Sequence, residues 1–273
     1  MMGRGWRVLV AMLLLFGAVE MPMPASEVPT IKTATEQVAA SELATAGLSV
    51  EEIVARHVAA RGGAERWRAL AALRLEGTYA AFSQRSDFTL VRRRGDLYRL
   101  DFALLEAPAV RARDREGVWA LHKLLQPAPE RISEGPYRTQ MERESLFGLP
   151  LLDYGDKGIS VELAGEGEVE GIPTVDLEVT FPGGQRETWR LDAESFLEVA
   201  IDSTVVDHTQ SAEPVPQRAF YDDYRDVEGL VIPHQIDLEF GHRLESMTVA
   251  TVEIDPELPA TAFSPPPVDD PSS

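Results

Sequence analysis

The sequence is 273 residues long, which is enough to bury a sizeable core, and all-β domains of this length often form one unit. Its 26 Lys and Arg against 45 Asp and Glu give a formal net charge of -19 at pH 7. This charge repels phosphate backbones and argues against a nucleic acid partner. The absence of cysteine excludes disulfide bonds, thiolate metal sites, cysteine nucleophiles and the lipid-modified cysteine that anchors a lipoprotein.

Residues 1–25 have the features of a secretory signal peptide. Two basic residues, Arg4 and Arg7, precede an apolar run of 12 residues, Val8–Val19, and helix-breaking prolines follow it. The run is shorter than the roughly 18 residues expected of a membrane-spanning helix, which favours a cleaved signal. An uncleaved membrane anchor is the alternative, because Met23 fits the cleavage site poorly.

Helix signals begin after a segment without regular periodicity. Residues 26–48 are rich in Ala, Thr, Glu and Ser, and we expect them to form a flexible linker. Ser49 and Glu52 then form a capping box, which predicts the start of a helix, and Gly62-Gly63 predicts its end. A second short helix is predicted over Ala64–Leu70. The apolar face of the first helix consists of Ile53, Val54, His57 and Val58. This helical hairpin must pack its apolar face on another element.

Most of the remaining chain alternates apolar and polar residues with a period of two, which predicts half-buried strands. The alternation is clearest in Ile159–Ile201, where Pro182-Gly183-Gly184 and Asp192–Ser195 mark turns. We count nine to eleven strands, with Thr139–Phe147 predicted as a helical insert between them. The pattern is that of an antiparallel sheet with one apolar and one solvated face.

Three features of the C-terminal region depart from regular alternation. Asp207–Gln217 is polar and contains proline, which predicts a loop. The apolar positions of Ser246–Ile254 change phase at Ala250-Thr251, which indicates a β-bulge. Residues 257–273 are rich in proline, and we expect a disordered tail there.

Five segments carry a resemblance to a known family: EEIVARHVAARGGAERWRALAALRLEGTY, YGDKGISVELAGEGEVEGIPTVDLEV, WRLDAESFLEVAI, YRDVEGLVIPHQIDLEF and VEIDPELPATAFSPP. They resemble the outer-membrane lipoprotein-sorting family, the group around the periplasmic lipoprotein carrier LolA. The resemblance implies a mainly β (α+β) fold over residues 49–256: an incomplete antiparallel β-barrel of about eleven strands whose apolar cavity lies under a helical lid. It also implies a monomer in the periplasm that holds a lipid or a lipoprotein acyl chain.

The candidate ligand-binding residues are the apolar and aromatic side chains expected on the cavity wall. In an open barrel the core and the cavity wall are one face, so these side chains are also explained as core. His234 is ionisable, and it stands at a position of the alternation that apolar residues otherwise occupy. Its side chain either contacts a ligand head group or is satisfied by a backbone carbonyl. The candidates are Tyr79, Phe88, Leu90, Tyr98, Leu100, Phe102, Trp119, Leu177, Val179, Trp189, His234 and Ile236.

No catalytic motif stands out in the sequence. The five histidines form no HxH, HExxH or HxxxH pair, and there is no G-x-S-x-G elbow, P-loop or dinucleotide fingerprint. We therefore expect neither a cofactor nor a metal ion. The first hypothesis is a carrier of lipids or acyl chains. The second is an envelope interaction or stress-sensing module that binds a protein partner, and the third is an enzyme.

Overall fold

A computed structural model describes residues 47–126, 128–206 and 213–267. The predicted signal peptide, nearly all of the linker and the end of the predicted tail lie outside these ranges. Within the described ranges, no helix combines the length and the apolar character needed to cross a membrane.

Three helices are described: α1 (Val50–Ala60), α2 (Ala64–Ala69) and α3 (Pro136–Glu144). The predicted capping box is present, with the Ser49 hydroxyl accepting from the Glu52 backbone N–H at 3.2 Å. Gly62 follows α1 with φ +104°, and a Cβ there would lie 2.1 Å from the Gly229 carbonyl oxygen. Only glycine therefore lets this helix end approach the neighbouring turn so closely.

The described strands form one antiparallel sheet with the order β6-β5-β4-β3-β2-β1-β13-β12-β11-β10-β9-β8-β7. The end strands β6 and β7 do not pair with each other, so the barrel is incomplete, as the resemblance implies. The strands are β1 (Ala72–Ala81), β2 (Gln84–Arg93), β3 (Leu97–Leu104), β4 (Ala107–Asp114), β5 (Gly117–His122), β6 (Glu130–Arg131), β7 (Ser160–Val169), β8 (Ile172–Thr180), β9 (Arg186–Asp192), β10 (Glu198–Val206), β11 (Pro214–Val227), β12 (Leu230–Phe240) and β13 (Arg243–Ile254).

The incomplete barrel is confirmed, although its described part has 13 strands where about eleven were expected. One strand missed by the sequence is β6, which at 2 residues is too short to show alternation. Strand β11 already begins at Pro214, inside the predicted loop; prolines in its first residues hide the strand signal. Helix α3 begins at Pro136 instead of Thr139, because proline fits the first turn of a helix. The predicted bulge is confirmed, since Glu76 pairs with Thr251 and Gly77 with Val249.

The inner face of the sheet is the face that carries Leu75, Leu90, Leu100, Leu177 and Trp189, as the strand registers show. Helix α1 packs its apolar residues into one half of this face. There the edge of the His57 ring meets Trp189 with a centroid distance of 6.1 Å. This half of the barrel is filled by the protein's own side chains.

A buried polar network fixes the end of α1 to the sheet. Arg61 donates to the Glu198 carboxylate and also, through Nε, to the Val231 carbonyl at 2.8 Å. The Tyr224 hydroxyl donates to Glu198 Oε2 at 3.0 Å. The Nε2 atom of His57 lies 3.8 Å from Glu198 Oε1. Glu198 therefore connects the helix to two strands, and it is only 5% exposed.

Trp119 lies on the opposite, outer face, where it clusters with Val110, Ala112 and Leu121. Its indole N–H donates to the carbonyl of Phe263 at 2.9 Å, and the Phe263 ring is buried. Phe263, in the described part of the Pro-rich tail, is thus packed on the outer face of the sheet. The physical reason is that the outer-face tryptophan offers an apolar surface for Phe263 to cover.

Candidate functional site

A cavity of about 760 Å³ occupies the other half of the barrel, between the inner face and α3. Its wall is formed by β1–β5 on one side and by β9–β13 on the other. Six of the twelve candidate residues lie on this wall. They are Tyr79, Leu90, Tyr98, Leu100, Phe102 and Ile236.

The other six candidates do not line the cavity. Leu177, Val179 and Trp189 lie on the inner face, but they are buried in the hydrophobic core and do not line the cavity. Phe88 is likewise buried in this main core. Sequence periodicity identified their face correctly; it could not show which part of that face the helices cover.

Trp119 and His234 are the remaining two. The phase of Trp119 places it on the outer face, so its assignment to the cavity wall is wrong. His234 is buried, and its Nδ1 atom lies 2.9 Å from the Ile232 carbonyl oxygen. Of the two alternatives for His234, the structure shows the backbone hydrogen bond.

Charged side chains also line the cavity, and the sequence analysis missed them. Arg92 and Arg111 project from the inner faces of β2 and β4, while Arg143 and Glu144 project from α3. The signal available in the sequence was the alternation of the strand, because Arg92 is two residues after Leu90 and therefore lies on the same face. An arginine in a run of three arginines is more readily interpreted as solvated, so this signal was masked.

Helix α3 covers the cavity and is held by polar contacts to both walls. Arg143 forms a bidentate ion pair with Glu187 on β9, with distances of 2.7 and 2.6 Å. Gln140 accepts a hydrogen bond from the Val206 backbone N–H at 2.7 Å. From the opposite wall, Arg92 donates to a backbone carbonyl at the end of α3 at 2.6 Å. The helix thus forms a lid that is fixed by polar contacts across the cavity.

Burial keeps the phenols around the cavity protonated. It raises the pKa of Tyr137 to about 12 and that of Tyr221 to about 12, and it raises the pKa of Tyr98 further. Burial opposes the charge on Arg111, but Glu144 together with the neighbouring tyrosines Tyr98, Tyr137 and Tyr79 outweighs this effect, and the pKa of Arg111 is raised. At neutral pH the cavity therefore presents phenolic hydroxyl groups and guanidinium cations.

Polar atoms without a partner are concentrated at this cavity. Among the described residues, seven buried side-chain nitrogen or oxygen atoms have no hydrogen-bond partner, and six of them belong to cavity-lining residues. Buried polar groups are normally satisfied, so this concentration is unusual. The six atoms are Arg92 Nε, Arg111 Nε, His122 Nδ1, His122 Nε2, Glu144 Oε2 and Gln185 Nε2.

Exposed apolar side chains cluster at the end of the sheet that the cavity approaches. The β1–β2, β3–β4 and β12–β13 turns lie at this end, next to the lining residues Leu104 and Phe240. The turn residues Phe82 and Leu105 are 42% and 48% exposed, and each has a φ of 50°. Positive φ is unfavourable for bulky side chains, so local backbone preference does not explain these residues.

Two other features are less suited to be the site. A depression of about 490 Å³ between α1 and residues 151–156 is more open to solvent, and no unpartnered buried polar atom lines it. In the described part of the chain, no three His, Asp or Glu side chains are placed to hold a metal ion. The larger cavity is therefore the candidate site.

No family model matches the sequence, and no curated protein matches it either. Solved structures do match. A DUF1329 family protein from Desulfovibrio piger is 15% identical with a TM-score of 0.52, and the match covers 79% of this chain and 97% of that one. A LolA superfamily protein from Nitrosomonas europaea is 12% identical with a TM-score of 0.52, covering 80% and 98%.

The chain has a LolA-like fold. A putative outer membrane lipoprotein-sorting protein domain from Vibrio parahaemolyticus is a further match, with 12% identity, a TM-score of 0.51 and coverage of 78% and 95%. At these identities the likeness concerns the fold alone.

Proposed function

We propose that this protein is a periplasmic carrier or binding protein that holds a lipid or a lipoprotein acyl chain in its cavity. The observation that carries the proposal is the cavity of about 760 Å³ beneath the α3 lid. Its volume falls within the roughly 300–1,000 Å³ typical of small-molecule sites. The predicted signal peptide supports the periplasmic location.

The apolar wall supplies the driving force for such a ligand. Burying a methylene group is worth about 0.8 kcal/mol, so a chain of about fourteen carbons gains on the order of 10 kcal/mol before any cost. Association costs several kcal/mol in lost translational and rotational freedom, which leaves a reversible affinity. Reversible binding is what a carrier requires, because its ligand must also leave.

The exposed turns support transfer of an apolar ligand. Phe82 and Leu105 are held in solvent in a conformation that small or polar residues adopt more easily. Apolar residues retained at such positions favour contact with another apolar surface. An acyl chain that passes between the cavity and a membrane would meet these side chains first.

A cavity-filling substitution tests the proposal. Leu238 lies on the cavity wall and is partly exposed, so Leu238→Trp should occupy the space without overpacking the core. We expect it to weaken uptake of a fluorescent fatty acid at least tenfold, while the unfolding temperature stays close to that of the parent. Leu163→Trp is the matched control, because Leu163 is 50% exposed on β7 and does not line the cavity.

Two results would count against the carrier hypothesis. One is that the parent protein, purified from the cell envelope, contains no lipid by native mass spectrometry and takes up no fluorescent fatty acid. The other is a stoichiometric protein partner whose binding survives Leu238→Trp, which would favour the interaction module instead.

A further inference from the structure

The cavity contains a pair of arginines at the end away from the exposed turns. Arg92 pairs across the strands with Tyr98, and Arg111 pairs with Leu100, so both lie on the wall around β3. The β1–β2 turn lies at residues 82–83, at the opposite end of β2 from Arg92. A group bound by Arg92 would therefore sit deep in the cavity, with the apolar wall between it and the turns.

The enclosed charges that line the cavity do not balance. The charge of Arg143 is neutralised by Glu187 in the bidentate pair, and that of Arg243 by Glu245, with 2.5 Å between Arg243 Nη2 and Glu245 Oε1. Two arginines remain, and they share a single carboxylate, that of Glu144. Other charged lining residues, Glu130, Glu134 and Arg186, are exposed to solvent and screened by it. The enclosed part of the cavity thus carries one excess positive charge.

Neither arginine of this pair is fully used by the protein. Arg92 donates to the backbone carbonyls of Glu144 and Leu146, at 2.6 and 3.3 Å, and its Nε atom has no partner. Arg111 Nη1 lies 3.5 Å from Glu144 Oε1, which accepts a shorter bond of 2.7 Å from Gln140. The Arg111 Nε atom also has no partner. Both guanidinium groups therefore have N–H donors that the protein leaves unused.

A carboxylate fits these donors. Guanidinium groups present planar, forked N–H donors that match carboxylate or phosphate oxygens, and charge-assisted bonds of this kind are the stronger ones. An enclosed charge without a counter-charge is costly, so an anion here would be bound with an energetic advantage. The depth of the pair limits the anion to a small group at the end of a chain.

We propose that the ligand is a single-chain amphiphile with a terminal carboxylate, such as a long-chain fatty acid. The carboxylate lies between Arg92 and Arg111 beneath α3, and the chain extends along the apolar wall towards the exposed turns. This inference rests on the proposed function and narrows it. A lipoprotein acyl chain, whose bulky end cannot enter the deep part of the cavity, does not satisfy the arginines.

The test compares ligands that share one chain and differ in the head group. Binding of palmitate, methyl palmitate and hexadecyl phosphate to the delipidated protein is measured by displacement of a fluorescent probe. We expect palmitate to bind at least tenfold more tightly than its uncharged methyl ester. Tighter binding of hexadecyl phosphate than of palmitate would overturn the assignment of a carboxylate.

Variants that remove one positive charge show which arginines recognise the carboxylate head group. Arg92→Gln and Arg111→Gln should each reduce the preference for palmitate over its ester to about threefold or less, while affinity for the ester stays the same. A change in packing alone would weaken both ligands together, so the ratio separates recognition from structure. Arg225→Gln is the matched control, because Arg225 is 55% exposed on β11 and does not line the cavity, so the preference should stay unchanged.

The outcomes separate the two proposals. Equal binding of acid and ester by the parent protein would overturn head-group recognition and leave the carrier function intact. Failure of every ligand to bind would overturn the carrier function itself. Both arginines contact the lid, Arg92 at 2.6 Å from the Glu144 carbonyl and Arg111 at 3.5 Å from the Glu144 carboxylate. Arg111→Gln removes only the longer contact, so it provides the decisive ratio if Arg92→Gln lowers the unfolding temperature.

Discussion

The buried network at Glu198 allows a quantitative prediction about how α1 is attached to the sheet. Glu198→Ala removes the carboxylate that accepts from Arg61 and Tyr224. Arg61 would keep its bond to the Val231 carbonyl, but its charge would have no counter-charge in a site where its side chain is 9% exposed. Removing one partner of a buried ion pair typically costs about 3–5 kcal/mol, and we expect a loss in the free energy of unfolding of that size.

Urea denaturation followed by circular dichroism measures this loss. For a domain of this size each kcal/mol lowers the unfolding temperature by about 2–4 °C, so a thermal scan should show a decrease of about 6–20 °C. Glu198→Gln retains hydrogen-bond acceptance from Arg61 and Tyr224, and we expect a smaller loss. The matched control is Glu253→Ala on β13, because Glu253 pairs with Arg74 and its side chain is 56% exposed.

The control should cost at most about 1 kcal/mol, since exposed ion pairs are screened by solvent. The reasoning would be refuted if Glu198→Ala cost no more than Glu253→Ala. It would also be refuted if Glu198→Ala left α1 as protected from hydrogen exchange as in the parent, because the network is the polar attachment of that helix.

Two further predictions concern pH and the C-terminal segment. Burial lowers the pKa of His57 below its ordinary value of 6.5. As the pH falls, the unfolded chain therefore takes up a proton before the folded chain does. The free energy of unfolding should thus decrease below pH 6.5, by up to about 1.4 kcal/mol per pH unit. His57→Gln should flatten this slope in urea titrations between pH 7 and 5, and an unchanged slope would contradict it. Removing residues 258–273 deletes Phe263 and uncovers Trp119, so we expect red-shifted tryptophan emission and a loss of about 2 kcal/mol. Removing only residues 268–273 should change neither quantity, and an unshifted spectrum after the longer truncation would contradict the packing.

The strands and the first helices could be predicted from sequence because their signals are local. Ser49 and Glu52 are three residues apart, and each strand shows its own alternation over a few residues. The sequence also predicted the bulge at Ala250, since a change of phase is visible within one strand. Strand β6 and the start of β11 were missed, because two residues carry no periodicity and prolines resemble loop.

The candidate site could be predicted only in part. Tyr98, Leu100 and Phe102 were placed correctly, because one phase of β3 faces inward along its whole length. Trp119 was misplaced because β5 directs Ala120 and His122 inward while its bulkiest apolar residue, Trp119, faces outward, which reverses the usual interpretation. Arg92 and Arg111 were missed because an inward arginine becomes recognisable only when the lid and the opposite wall enclose it.

Composition and local residue patterns are enough to establish an acidic, cysteine-free chain with an antiparallel, amphipathic sheet and a capped helix before it. These properties follow from composition and from contacts between residues close in the chain. Only the tertiary structure decided that α1 fills one half of the inner face and that α3 leaves a cavity over the other. That division depends on which distant segments share the limited space inside the barrel, and alternation within a single strand holds no information about it.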